Sequence, residues 1–390
     1  MTIGNASPAA PIPEDALRRV IAPFGSSRTL PGEAYSSAEV FAWEQKQLFE
    51  AGWVCLCREE EVCRSGDHRA ARLGRQGILL TRDDGGALHA FFNVCRHRGH
   101  ELLEPGCSAN ARAIRCPYHA WVYELDGSLK AATRFGDLAV DPAEHELVPV
   151  RVASWQGWIF ANVSGDAPPL EQWLGDLSDL VAPHAPGRLQ IAARHSYEIS
   201  SNWKIITENY HECYHCPQIH PQLCRVSPPD SGRNLSLRGA WTGGSMELVA
   251  EADTMALDGK SHSVPLPGLT SESLREVYYY GLLPNLLVSL HPDYVLTHRL
   301  EPRAADRTFI ECQWLFPPEA LARKKFSPDY AVEFWDVTNQ QDWKACESVQ
   351  RGVSSLGFRP GPLSARESAV YRFLTQVAGA YLTGRVNPAG

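Results

Sequence analysis

Cys95-Arg96-His97 and, eighteen residues further on, Cys116-Pro117-Tyr118-His119 decide how the first half of this chain is read. Each short hook carries one thiol and one imidazole. Together they make a ligand set for a [2Fe–2S] cluster with two thiolates on one iron and two imidazoles on the other. Exchanging two thiolates for neutral imidazoles removes negative charge and raises the reduction potential above that of an all-cysteine cluster. A structural zinc site of Cys₂His₂ composition is the competing assignment. Zinc spacing, however, pairs Cys with Cys and His with His, whereas each hook here mixes the two.

The sequence around the hooks reads as strands. Ile78-Leu79-Leu80-Thr81, Asp83-Asp84-Gly85-Gly86 and Leu88-His89-Ala90-Phe91-Phe92 form a strand, a turn and a strand. Tyr123 to Leu129 contains an Asp-Gly hairpin turn, and Trp158 to Val163 reads as a closing strand. The hooks thus fall on loops of a small all-β domain. Upstream, Ser36 to Gly52 predicts a helix, with Gly52 as its stop. Met1 to Glu14 reads as a flexible lead, without the basic and apolar regions of a signal peptide.

Asp166-Ala167-Pro168-Pro169 marks a linker. Beyond it the spacing predicts a short helix over Leu170 to Leu180. Longer strands follow over Ile191 to Ser200, Val277 to Leu290, Tyr294 to Leu300 and Arg307 to Phe316, the last with a half-buried alternation. Helices are expected over Tyr330 to Gly352 and Leu363 to Leu382. Strands capped by helices give an α+β domain.

The chain has 390 residues, room for two domains. With 44% hydrophobic and 21% charged residues its composition is that of a globular protein, and the net charge of −8 argues against nucleic acid as a partner. No apolar run is long enough to span a membrane. The 11 cysteines follow no small-scaffold pattern, which predicts reduced thiols and a cytoplasmic location.

A second constellation runs from Glu208 to His220 and holds His211, Glu212, Cys213, His215, Cys216 and Pro217. Glu212 and His215 are three apart, on one face if helical. His215 and His220 on one continuous helix would point about 140° apart. Pro217 breaks that helix and lets both histidines converge. Two histidines and one carboxylate make the facial triad of a non-haem Fe(II) site. Asp342, on an otherwise mostly apolar helical face with Trp335, Thr338 and Cys346, is the expected acid; Asp336 is a weaker rival. Cys213 and Cys216 with the two histidines also match a zinc knuckle, and His211 reads as a hydrogen-bonded core residue.

The hooks resemble the Rieske iron–sulfur domain. The respiratory members of that family carry a further cysteine in each hook, where this chain has His100 and Tyr118; that departure points to the oxygenase branch. With the pattern Glu212-x₂-His215-x₄-His220 and a distant Asp342, the resemblance extends over nearly the whole chain, to the terminal oxygenase (alpha) subunit of Rieske non-haem iron oxygenases. It implies an N-terminal lead (residues 1–37) packed on the catalytic domain, a Rieske domain (38–165) and a catalytic domain of helix-grip type (166–390). It implies that Cys95, His97, Cys116 and His119 hold the cluster, and that His215, His220 and Asp342 hold Fe(II). By the same resemblance Glu212 is the electron bridge between subunits of a head-to-tail homotrimer. A flavin/iron–sulfur reductase drawing on NADH or NADPH, with or without a ferredoxin, would supply electrons for O₂ chemistry on a small molecule. The chain has no dinucleotide fingerprint of its own.

The run Glu212-Cys213-Tyr214-His215-Cys216 resembles the branch acting on quaternary ammonium compounds. An aromatic cage would suit such a cation, with Tyr278, Tyr279, Tyr280, Tyr294, Trp241 and Trp314 as candidates. Alternatives are ring hydroxylation of an aromatic acid, and an electron carrier with a docking domain.

Overall fold

A computed structural model describes residues 8–235 and 238–388, which fall into two compact units: residues 49–167, and residues up to 48 together with those from 168 onward.

The first unit is built from three small antiparallel sheets. Strand β1 (Val54–Arg58) pairs with β10 (Trp158–Asn162), which pairs with β9 (Arg151–Trp155). Four strands run in the order β4 (Leu88–Phe92), β3 (Gln76–Arg82), β2 (Asp67–Leu73) and β5 (Ser108–Asn110). The third sheet joins β6 (Ile114–Arg115), β7 (Val122–Tyr123) and β8 (Leu129–Ala131). The Thr81 hydroxyl donates to the Leu125 carbonyl at 2.6 Å and ties the second sheet to the third. The first hook follows β4 and the second lies between β6 and β7. Their cysteines are buried in one apolar cluster with Phe91, Leu102, Trp121, Tyr123 and Leu125. Full burial of each large side chain there contributes about 2–3 kcal/mol, so the scaffold holding the hooks is firm.

The second unit centres on a seven-stranded antiparallel sheet in the order β11 (Gln190–Ile199), β17 (Arg307–Phe316), β16 (Val295–Ala304), β15 (Leu286–Leu290), β14 (Glu276–Leu282), β13 (Trp241–Glu247) and β12 (Arg233–Leu235). A 25-residue helix, Asp329–Val353, packs on it. Its Trp335 donates to the Tyr294 hydroxyl at 2.8 Å, and its Asn339 Oδ1 meets His298 Nε2 at 3.1 Å. The expected α+β arrangement of strands followed by long helices holds. No helix among the described residues is long and apolar enough to cross a membrane.

Several local expectations change. The run Val277 to Leu290 is two strands, because Pro284 sits in a turn between β14 and β15. Strand β17 is buried from Ile310 to Phe316, not half-buried. Its polar positions are satisfied inside: Gln313 donates to Glu311 at 3.0 Å, and Glu311 faces Arg299 at 3.5 Å. The stretch Leu170 to Leu180 is two helices, Leu170–Leu174 and Leu177–Val181, parted by Gly175. The upstream helix starts at Ala38, with the Ser37 hydroxyl accepting from Glu39 and Val40. It belongs to the second unit, not the first, because its fully buried Glu44 takes the Lys204 ammonium at 2.5 Å and the Trp203 indole at 2.9 Å. A buried pair of this kind is costly to break, which anchors the helix there. The lead expected to be flexible is held from Pro8 onward: Trp43 donates to the Pro8 carbonyl and Ala10 donates to the Tyr381 carbonyl. Met1 to Ser7 lie outside the described residues.

Candidate metal centres and substrate pocket

The two hooks have the same backbone. In the first, Cys95 N–H donates to the His100 carbonyl at 2.8 Å and Gly99 N–H to the Cys95 carbonyl at 3.0 Å. In the second, Cys116 N–H donates to the Trp121 carbonyl at 2.8 Å and Ala120 N–H to the Cys116 carbonyl at 3.1 Å. Both turn through a left-handed residue at the same offset, Gly99 at φ 75° and Ala120 at φ 59°. For Ala120 that conformation costs about 1 kcal/mol, which the repeated hydrogen bonds offset.

The hooks bring their side chains together in pairs. Cys95 and Cys116 are buried and free. The His97 and His119 rings lie 4.6 Å apart, with His97 stacked on Trp121 at 4.9 Å. His97 Nδ1 is buried with no hydrogen-bond partner among the described residues. A nitrogen left so is costly unless something binds it, and two thiols plus two imidazoles fit a cluster with mixed ligation. Sequence reading missed Tyr123. Its hydroxyl lies 3.3 Å from Cys95 Sγ, to which it can donate, and accepts from Arg96 N–H at 2.9 Å.

In the second unit the helix Trp203–Tyr210 ends earlier than the spacing suggested. Glu212 and His215 therefore meet across a tight turn, not on a helical face. Glu212 accepts from the Tyr214 and His215 backbone N–H groups and holds His215 Nδ1. Pro217 lies in the first turn of a new short helix, Cys216–Ile219, and so starts a helix rather than ending one. His220 caps the far end of that helix. The convergence expected of the break occurs: the His215 and His220 rings are 5.1 Å apart.

Asp342 comes to meet them from the Asp329–Val353 helix. Its Oδ1 lies 2.9 Å from His220 Nε2 and 3.4 Å from His215 Nε2. Ligands bound at right angles about 2.1 Å from one ion stand about 3 Å apart, so this spacing fits a shared cation. Gln341, also missed from sequence, holds His220 Nδ1 through Oε1 at 2.7 Å. Each histidine thus has Nδ1 engaged and Nε2 aimed at Asp342, the pattern that fixes tautomer and orientation at metal sites. Burial opposes ionisation of Asp342, but its hydrogen bonds to His215 and His220 outweigh it and hold the carboxyl below its usual value. Burial also disfavours a cation at His215, yet Asp342 and Glu212 raise its pKa to about 9. The two carboxylates demand positive charge between them. The rival Asp336 is engaged elsewhere, by the Tyr197 hydroxyl and the Gln340 amide. Cys213 and Cys216, expected as thiols, form a disulfide.

A cavity of about 270 Å³ opens beside these ligands. Of the six proposed cage aromatics only Tyr279 lines it. Tyr278 and Tyr280 occupy the alternate positions of β14, and Tyr294, Trp241 and Trp314 are core residues. Tyr210 and Trp335 join Tyr279 instead, with Tyr210–Tyr279 and Tyr279–Trp335 centroids 5.9 and 6.3 Å apart. The Tyr279 hydroxyl is buried without a hydrogen-bond partner among the described residues, and burial raises its pKa, so it stays protonated. His211 also lines the cavity. Neither ring nitrogen has a hydrogen-bond partner among the described residues, contrary to expectation, and burial lowers its pKa to about 3, leaving the ring neutral. One wall is bare backbone. A Cβ on Gly243 would meet the Tyr279 carbonyl oxygen at 2.0 Å, and one on Gly244 the Arg233 carbonyl oxygen at 1.9 Å.

Residues 52–142 match the Rieske [2Fe-2S] domain, and residues 186–383 match the ring hydroxylating alpha subunit (catalytic domain). The chain is 30% identical over 370 residues to the glycine betaine monooxygenase oxygenase subunit of Chromohalobacter salexigens, covering 86% of this chain and 82% of that one. A solved quaternary ammonium Rieske monooxygenase, described for carnitine oxidation by gut microbiota and inter-subunit electron transfer, superposes with a TM-score of 0.79 at 26% identity, covering 96% of this chain and all of that one. Naphthalene 1,2-dioxygenase of a Rhodococcus species shares the fold, with a TM-score of 0.75 at 19% identity over 95% of this chain and 97% of that one.

Proposed function

This chain belongs to the Rieske-type ring-hydroxylating oxygenase alpha subunits, and from that premise we propose that it oxidises a quaternary ammonium compound at C–H, leading to demethylation or an aldehyde. The observation that carries the substrate is the cavity in which Tyr210, Tyr279 and Trp335 stand beside His215, His220 and Asp342. Three aromatic rings suit a trimethylammonium group, which cannot donate a hydrogen bond and is held by ring faces.

Cys95, His97, Cys116 and His119 would hold the cluster, and His215, His220 and Asp342 the Fe(II). When bound, the cluster supplies single electrons and the iron supplies O₂ activation. The chain's own residues set the rest. Glu212 and Gln341 fix the two imidazoles by their Nδ1 atoms, so that both Nε2 atoms address one point. Tyr123 is placed to donate to the Cys95 sulfur, which would favour the more negative, reduced state of a cluster held there. Tyr279 offers a donor, and the neutral His211 offers either a donor or an acceptor, to the polar end of a substrate.

Electrons would come from a separate reductase oxidising NADH or NADPH, directly or through a ferredoxin. Glu212 would link His215 to a cluster histidine of the next subunit in a homotrimer, in the cytoplasm. The solved relative's inter-subunit electron transfer supports this reading. The test is reductase-coupled NADH or NADPH oxidation with product analysis across glycine betaine, carnitine, choline and benzoate. Formaldehyde or aldehyde formed from a quaternary amine is expected; turnover confined to benzoate overturns the substrate assignment.

A further inference from the structure

The Cys213–Cys216 pair is not used by the chemistry above, yet it brackets an iron ligand. Cys216 is buried, its Sγ lies 3.9 Å from His215 Nε2, and that sulfur and donor nitrogens of His215 and His220 all fall within 4.8 Å of one another. The same two imidazoles therefore have two candidate third donors, the Asp342 carboxylate and the Cys216 sulfur. In the structure that sulfur is bonded to Cys213. A disulfide sulfur carries no thiolate, and the thiolate is the form that binds metals.

We infer that this disulfide selects the metal. Oxidised, the site presents two imidazoles and a carboxylate, the donor set suited to Fe(II) with open positions. Reduced, it gains the Cys216 thiolate and becomes a two-histidine, one-cysteine, one-carboxylate set. Four donors of that kind match tetrahedral zinc. A soft thiolate selects zinc over ferrous iron, whereas imidazole and carboxylate alone do not, so a free thiolate here favours replacement of iron by redox-inert zinc. In closing the pair, the two thiols and one hydrogen peroxide give the disulfide and two waters. In reverse, an external dithiol takes up the disulfide bond, and two thiols are regenerated. The inference rests on His215, His220 and Asp342 being the metal site.

The test uses the full-length protein, stripped of mononuclear metal with its cluster intact, then given one equivalent of Zn²⁺ with or without a dithiol reductant. Zinc-edge X-ray absorption reads the zinc shell without interference from the cluster irons, and alkylation with mass spectrometry counts the free thiols. Reduced wild type and untreated Cys213→Ser are expected to show one Zn–S distance of about 2.3 Å and to retain zinc against Fe(II) at least about tenfold better than oxidised wild type, the direction set by the preference of thiolate for zinc. Oxidised wild type and Cys216→Ser should show nitrogen and oxygen ligands only. Zinc bound without sulfur in both reduced wild type and Cys213→Ser overturns the inference and leaves the site reading intact. Zinc whose binding is unaffected by His220→Ala overturns both. Failure of peroxide to close the pair in wild type, read by thiol count, also overturns the inference.

Discussion

The proposed cluster hooks and the proposed mononuclear site meet the same demand, several donors on one point, over opposite ranges of chain. Each hook packs its Cys and His within four residues and closes on its own backbone hydrogen bonds. The mononuclear site brings His220 and Asp342 together across 122 positions, and a long helix must be seated before the third donor arrives. Local donor sets survive changes elsewhere, whereas a donor set assembled by packing inherits every weakness of the packing.

The sharpest way to break that contrast is Asp342→Ala. Turnover should fall below detection, and iron should drop from about three to about two per chain, with the visible spectrum of the cluster unchanged. Retained turnover would show that the distant carboxylate is dispensable. Glu212→Gln should slow turnover about 10- to 100-fold with little change in KM. Rapid-mixing spectroscopy should find the cluster reduced but unable to discharge; normal discharge would remove the bridging role. For Trp335→Leu, loss of a desolvated cation–π contact of about 2 kcal/mol raises KM for a quaternary amine roughly 30-fold, and calorimetric binding should weaken in step. An unchanged dissociation constant would take the indole out of the cage. The smallest effect belongs to the hooks. Tyr123→Phe removes one donor to Cys95 Sγ, and about 1 kcal/mol favouring the reduced cluster corresponds to about 40 mV for one electron. Protein-film voltammetry should show that drop, and an unmoved potential would mean that the phenol serves packing alone.

The same contrast explains what could be read in the chain. The hooks were legible because their chemistry and spacing are contiguous. His215 and His220 were legible for the same reason, and Asp342 because an acid on an apolar helical face needs a partner. Tyr123 and Gln341 were not, since a tyrosine on a strand and a glutamine on a helix carry no mark until another element arrives beside them. The cage failed on parity. Tyr278, Tyr279 and Tyr280 are identical neighbours, and only the pairing of β14 with β13 decides which one faces the cavity. The earlier end of the helix before His211 was hidden because Glu212 stabilises the turn through its own side chain, a contact that competes with helix locally.

Gly243 and Gly244 carry a consequence for descent and for engineering. Most enzyme pockets change their preferences by lengthening or trimming the side chains around them. Along this wall such variation is closed off, because the first added carbon collides with the neighbouring strand's main chain. Shifts in preference, in a laboratory selection for example, must therefore come from the side chains that line the rest of the cavity, among them Tyr210, Tyr279, Trp335 and Thr338. A library at those four positions should therefore change substrate preference where one at Gly243 and Gly244 gives no folded variants.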